Sequence, residues 1–448
     1  MASNLLKTFE KIERGRQKCI TKANEVGYPL PNDASLEQVA NCIDAQGYAD
    51  EYYEHYKALI TKDYSNIENG KIRIPYDIES IGAKAFYQDT NLKGVVFPGN
   101  LKTIGASAFE GCKNWEGLID LPYGVETIGT YAFKDTGYKS GSLQEGVNIP
   151  SSVTSIGTYA FRGTRGIVNF DANVTELSAY IFQNSSTGTS GDATFITEFN
   201  ISEDRLNQIT KIGSDAFSYQ RLLTKLPIGS SVTSIDAEAF NYCTGVTEHV
   251  VIPASCKTIG YNAFAYAELR GGISFEEGLE TIGQAAFAFA KIYTEDLIFP
   301  KTVKSIAQDS ISYTQNKYDN LKGASVNIRR VIIPYEETLS LGYGAFQDAK
   351  SDEMIIHAKK MTYTNQNGRQ WYRSAFKTVV FMNLEVGTTL HASAFSGSKV
   401  SEGGIYIPDD LVDYYKGQSG WSTFKDYIKP LTSWSGYADY IASLEVSE

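Results

Sequence analysis

A seven-residue pattern returns along almost the whole of this chain and limits the folds open to it more than any other feature. Its clearest copy is Thr103-Ile104-Gly105-Ala106-Ser107-Ala108-Phe109, in which Ile is followed four residues later by Ala and five later by Phe. Further copies stand at 80–86, 127–133, 155–161, 176–182, 211–217, 234–240, 258–264, 281–287, 305–311, 340–346, 370–376 and 389–395, which makes thirteen. Phe86, Phe109, Phe133 and Phe161 are 23, 24 and 28 positions apart, and Phe217, Phe240, Phe264 and Phe287 are 23, 24 and 23 apart. A period of this size is the signature of a solenoid. Each copy also carries a short β-rich segment ending in Pro, as in Val95-Val96-Phe97-Pro98, Val147-Asn148-Ile149-Pro150, Val250-Val251-Ile252-Pro253 and Val331-Ile332-Ile333-Pro334. One unit reads as a strand, a turn and one helical turn, and the fold class as an α+β solenoid of about 13 such units.

A unit this small cannot bury its own apolar face, so neighbouring units must share one continuous core. In one unit the inward set is Ile104, Ala108 and Phe109, with Leu101 and Leu118 beside them. Along the array the structural core row is Phe86, Phe109, Phe133, Phe161, Phe182, Phe217, Phe240, Phe264, Phe287, Phe346, Phe376 and Phe395. Burying each such side chain contributes about 1.5–3 kcal/mol, enough in sum to oppose the ordering entropy of a long chain. The Gly that follows Ile, as at Gly82, Gly105, Gly129 and Gly260, permits a tight or positive-φ backbone. Ser178, Asp236 and Ala307 depart from it.

These repeats resemble the BspA-type leucine-rich repeats, found on bacterial cell-surface proteins and in some phage proteins. The resemblance spans roughly residues 72–408. It implies a curved, strand-lined solenoid used for binding and not for catalysis, a step made by analogy because a fold does not fix a function.

Residues 1–65 differ from the array. Leu5, Leu6, Phe9, Ile12, Cys19, Ile20 and Ala23 fall near helical spacing, and Leu36, Val39, Ala40 and Ile43 mark a second short helix. This start, from Gly27-Tyr28-Pro29-Leu30-Pro31 through Ile43-Asp44, resembles the N-terminal element of many phage and prophage structural proteins. The resemblance implies an attachment module, and a simple solenoid cap is the alternative. The domain plan is therefore 1–65 as helical N-terminal anchor or cap, 66–404 as the solenoid, and 405–448 as C-terminal cap and tail. In that last part Trp421 and Phe424 would cover the final open face. Four insertions, at 137–146, 183–200, 312–330 and 357–372, are expected as surface loops.

The first ten residues lack the charged start, apolar run and cleavage site of a secretory signal, and no stretch is long enough to span a bilayer. The expectation is a chain neither exported by the standard route nor inserted in a membrane. Its net charge of −11 offers no basic stripe to nucleic acid. Five Cys show no paired spacing, and Cys112 and Cys243, each three residues after a unit Phe, read as small core residues. The four His (His55, His249, His357 and His391) lie in different units without metal-ligand spacing, and paired acids such as Glu276-Glu277 and Asp409-Asp410 read as solvated turn charges. No catalytic residue, metal site or cofactor is expected.

One feature rises above the repeat. The position two residues after the unit Phe holds Tyr219, Tyr242, Tyr266, Phe289 and Tyr313 in five successive copies. Neighbouring strands stand about 4.7–4.9 Å apart, within the ring-stacking range of about 4.5–7 Å, so an aromatic ladder is expected. It offers either a platform for sugar rings or a partner's apolar patch, or rings stacked on one another to stiffen the edge.

The reading taken from the sequence is a non-enzymatic, homo-oligomeric phage virion protein, a fibre, decoration or receptor-binding protein. It would be held to other virion proteins through residues 1–65 and contact a glycan or protein of the bacterial host surface. The alternative is a bacterial cell-surface or secreted leucine-rich repeat adhesin.

Overall fold

A computed structural model describes residues 67, 71–74, 78–137, 145–184, 195–312, 328–335, 337–349, 351–363 and 368–445. The expected N-terminal helical module at 1–65, Tyr313, and most of the insertions at 137–146, 183–200 and 312–330 lie outside the described residues. The insertion expected as a surface loop at 357–372 is instead largely part of the coil, with the strand Lys360–Tyr363 and the buried residues His357, Met361 and Trp371. The chain divides into two compact units, Met1–Asn173 and Val174–Glu448.

The same coil builds both units. In the first, the two-residue strands Ser80–Ile81, Thr103–Ile104, Thr127–Ile128 and Ser155–Ile156 pair in parallel, with the four Ile residues in register. A second row holds Leu118–Asp120, Gly146–Ile149 and Gly166–Phe170, also parallel. In the second unit eight parallel strands run from Glu176–Leu177 to Lys360–Tyr363. Six more begin at Asp296–Ile298 and end at Ile428–Pro430. The Gly404–Ile407 and Ile428–Pro430 strands therefore carry the sheet past residue 404.

The fold is a β-solenoid of repeated parallel strands with little helix, so the α+β expectation is corrected. Among the described residues the α-helices are Glu203–Leu206, Val412–Gly417 and Tyr437–Glu445. The expected helical turn after each Ile-Gly does not form, for a backbone reason. Residues two before and two after the unit Phe take left-handed φ, as at Ser107 (54°) and Gly111 (75°), Asp215 (56°) and Tyr219 (65°), or Glu238 and Tyr242 (both 57°). A right-handed helix cannot hold such residues. Consecutive turns stack instead, each hydrogen-bonded to the next coil: the Phe109 amide donates to the Ala132 carbonyl (2.7 Å) and the Phe240 amide to that of Ala263 (2.8 Å).

The unit Phe residues fill the core as parallel rings. Phe86, Phe109, Phe133 and Phe161 stack at 5.0, 5.1 and 5.4 Å. Phe182, Phe217, Phe240, Phe264 and Phe287 do so at 5.5, 5.8, 5.4 and 5.2 Å. One assignment of the row is corrected. The Phe346 amide donates to the Gln370 carbonyl and the Trp371 amide to that of Ala394, so Trp371, not Phe376, holds the row position of its coil. Trp371 stacks between Phe346 (6.5 Å) and Phe395 (4.7 Å). Phe376 is buried but meets Phe346 edge-on at 6.4 Å.

The Gly after Ile is needed for close approach, not for positive φ. A Cβ on Gly105 would lie 2.6 Å from the Ala83 nitrogen of the preceding coil, and one on Gly129 2.5 Å from that of Ala106.

At the C-terminal end Trp421 and Phe424 are buried, Trp421 against Phe381 and Tyr415 and Phe424 edge-on to Phe395. The tail then lies over the sheet, where Trp434 and Tyr440 cluster with Ile332, Ile355, Val380, Tyr406 and Leu431. Trp434 Nε1 donates to Glu353 Oε1 (2.8 Å), and His357 Nε2 lies 2.8 Å from the Tyr440 hydroxyl. Burial raises the Glu353 carboxyl above its usual range, against the Trp434 hydrogen bond that lowers it.

Candidate functional site

The ladder residues sit where the coil backbone forces them together. The amides of Tyr219, Tyr242, Tyr266 and Phe289 donate to the carbonyls of Asn241, Ala265, Ala288 and Ser312 in the next coil, at 2.7–2.9 Å. The four rings stack at 4.7, 4.3 and 4.5 Å, tilted from one another by no more than 9°. All four are half-buried. Tyr242 and Tyr266 each carry a ring on both faces, so what they leave to solvent is edges. A sugar ring therefore has no free face to stack on at these two residues, whereas a partner's side chains can pack along the ridge.

These aromatics also occupy costly backbone. Tyr219, Tyr242, Tyr266 and Phe289 have φ of 65°, 57°, 58° and 58°. In the first unit Gly111 and Gly163 hold the same position, as do Gln88 and Asp135 (both 54°), so the left-handed backbone belongs to the repeat and only the choice of aromatic residues there is particular to the ladder. A non-Gly residue held in this region costs on the order of 1–3 kcal/mol, while an aromatic pair returns about 0.5–1.5 kcal/mol beyond its burial. Stiffening alone is a weak reason to place four aromatics there.

Beside the ladder, four positions earlier in each coil, stand Asp215, Glu238, Asn262, Ala285 and Asp309. Asp215 is buried and accepts from Gln183 Nε2 at 2.9 Å. Burial first, and then the charge of Glu238, push its carboxyl up to about 6, against hydrogen bonds from Gln183, Ser218 and Tyr180. Asn241 Nδ2 donates to Glu238 Oε2 at 3.1 Å. The Tyr219 phenol is raised by burial, then by Tyr242 and Glu238, with Asp215 adding and Arg221 opposing. The two carboxylates therefore act on the ladder's first ring.

The sequence reading passed over these acids because they look like turn residues. It also passed over a smaller aromatic stack two residues before the unit Phe, where Tyr131 and Tyr159 lie 4.8 Å apart. The recurrence of Tyr131, Tyr159 and Tyr180 in successive copies was the available signal. That stack is closed at one end, since Lys134 Nζ lies 5.0 Å over the Tyr131 ring and pairs with Glu110 at 2.9 Å.

Among the described residues, further His and Cys side chains are engaged in the fold. His249 contacts the Gly271 carbonyl and Ser274 hydroxyl, both at 2.8 Å, and His391 accepts from the Ser393 amide. Cys112 and Cys243 are buried thiols that donate to the Phe86 and Phe217 carbonyls. Burial pushes the Cys243 thiol up to about 12. Among the described residues no three or more His, Cys, Asp or Glu side chains gather in a metal-holding group. Nor is any helix there long and apolar enough to cross a membrane.

Comparison with known proteins adds three findings. A family profile described as the BspA type leucine-rich repeat region matches residues 61–189 and 189–317, more than half of the 448 residues. No curated protein sequence matches. Similar solved structures include a leucine-rich repeat protein from Bacteroides ovatus, with TM-score 0.47, 16% identity, and coverage of 82% of this chain and 86% of that one. The pneumococcal vaccine antigen PcpA gives TM-score 0.38 and 16% identity over 81% of this chain and 78% of its own. A leucine rich cell surface protein from Faecalibacterium prausnitzii gives 0.34 and 16% over 79% and 90%.

Proposed function

This chain belongs to the BspA-type leucine-rich repeat family, and on that premise we propose that it is a non-enzymatic binding protein of the cell surface or extracellular space, an adhesin. The ladder of Tyr219, Tyr242, Tyr266 and Phe289 is its contact ridge. The observation that carries this is the stack of four half-exposed aromatic rings in successive coils, at a position that elsewhere holds Gly or a polar residue. Aromatic side chains are also the residues most enriched among the few that dominate binding energy in protein interfaces. The family match does not support the phage virion reading, which rested on the lack of a secretory signal in the first ten residues and on the attachment-like start within residues 1–65, outside the described residues.

Binding of this kind needs no reacting group. It needs a shape held rigid before the partner arrives, and a stack of coils joined by backbone hydrogen bonds supplies one. The test is location and retention together. Antibody to the solenoid should label intact source cells or detect the protein in their medium, and labelled protein should be retained saturably on a target cell surface. Confinement to the cytoplasm, with no saturable retention, would overturn the proposal.

A further inference from the structure

We infer that the partner segment docking on the ladder is a cationic polypeptide, whose Lys or Arg side chains lie against Asp215 and Glu238 while its apolar side chains cover the ring edges of Tyr219, Tyr242 and Tyr266. This rests on the reading of the ladder as a contact ridge and names the chemistry of what that ridge receives.

Charge complementarity is the first argument. Elsewhere the acids of these turns are matched by cations on neighbouring coils: Glu110 by Lys134 (2.9 Å), Asp135 by Arg162 (3.4 Å) and Asp348 by Arg373 (2.8 Å). Beside the ladder the pattern stops. Among the described residues none of the ion pairs includes Asp215, Glu238 or Asp309. The groups that act on Asp215 are Glu238 and the uncharged Gln183, Ser218 and Tyr180. Asp309 feels burial and a hydrogen bond from Gln308. Arg221 is the cation that acts on Tyr219, lowering its phenol against burial and the neighbouring acids. Apolar ring edges beside the half-buried Glu238 and the buried Asp215, neither matched by a cation, fit a partner carrying both apolar and positive side chains.

Ring geometry is the second argument, and it selects polypeptide over glycan. Stacking a sugar on Tyr242 or Tyr266 would require a free face, and neighbouring rings at 4.7, 4.3 and 4.5 Å cover both. Ring edges, by contrast, are well suited to contact with aliphatic and aromatic side chains.

The arrangement also sets a pH dependence. With its carboxyl pushed up to about 6, Asp215 is largely protonated in the free protein below that pH and ionised above it. A cation beside it favours the ionised form. Affinity should therefore rise as pH increases through about 6 and fall as pH drops below it.

The experiment measures binding of the full chain to three probes: a synthetic peptide rich in Lys and Phe, the same peptide with Glu for Lys, and a neutral oligosaccharide. The expected result is binding of the Lys peptide alone, stronger at neutral than at mildly acid pH. The Asp215→Asn/Glu238→Gln variant, close in shape to the parent and checked by its melting curve, should lose about tenfold or more, roughly 1.4 kcal/mol. Glu276→Gln/Glu277→Gln removes the same charge from a turn elsewhere and should leave binding unchanged. An equal loss in both variants would show diffuse attraction to an acidic protein and overturn the inference, as would preference for the oligosaccharide. If Tyr242→Ala/Tyr266→Ala abolishes retention on cells while Asp215→Asn/Glu238→Gln does not, the cationic partner is wrong and the ridge stands. If neither variant changes retention, both fail.

Discussion

An added methyl group on Gly129 would sit 2.5 Å from the Ala106 amide nitrogen and 2.7 Å from the Gly105 carbonyl carbon. These are backbone atoms of the preceding coil, and they cannot step aside as a flexible side chain could. Overpacking of this kind costs about 1–3 kcal/mol. The ~0.4–1 kcal/mol gained by stiffening the unfolded chain is smaller. Gly129→Ala should therefore lower the melting temperature, and an unchanged melt would contradict the close-approach account. The recurring Gly was visible in the sequence, but its reason was not, because φ and coil spacing both ask for Gly and only coordinates separate them. The same holds for Trp371. Its place in the core row was hidden by the insertion before it, and the Ala-Phe pair at Ala375-Phe376 offered a decoy five residues on. The ladder was legible because its spacing is strict and its residues are aromatic in successive copies. The neighbouring Asp215 and Glu238 were not, since an acid in a turn is ordinary until the absence of a matching cation is seen.

Among elements, the C-terminal tail does what sequence patterns describe least well. The Tyr437–Glu445 helix and the turn before it lie on strands far back in the chain, and bonds such as His357 to Tyr440 and Glu353 to Trp434 span more than eighty residues. Periodicity finds strands and coils because they repeat, and a segment that occurs once has no period to find. Under the tail Ile355 and Val380 are fully buried, while Val251 and Ile298, on strands elsewhere in this unit, stay exposed. Burial of each large aliphatic side chain contributes about 1.5–3 kcal/mol. Deleting residues 432–448 should lower the melting temperature and raise binding of a hydrophobic dye. An unchanged melt without dye binding would show that the tail is an ornament and not a cover. The coil itself was legible as strand plus turn, and its expected helical segment failed because two left-handed residues per coil were not readable from Tyr, Asp and Glu at those positions.

For the molecule as a whole, repetition turns a marginal device into a surface. One aromatic in left-handed backbone brings strain and little else. Four in successive coils make a rigid ridge, because the backbone bonds that join the coils also set the ring spacing. That rigidity is what a binding protein needs, since little freedom is left to lose when the partner arrives. The most direct test is the affinity of the labelled full chain for a target cell surface, compared with that of the Tyr242→Ala/Tyr266→Ala variant, with melting curves for both. The account expects affinity to fall tenfold or more, about 1.4 kcal/mol, while the melt falls only by what the lost ring stacking contributed, since Ala keeps the Cβ and with it the left-handed backbone strain. A variant that melts well below the parent yet binds as tightly would contradict it, and would make the ladder a brace for the solenoid.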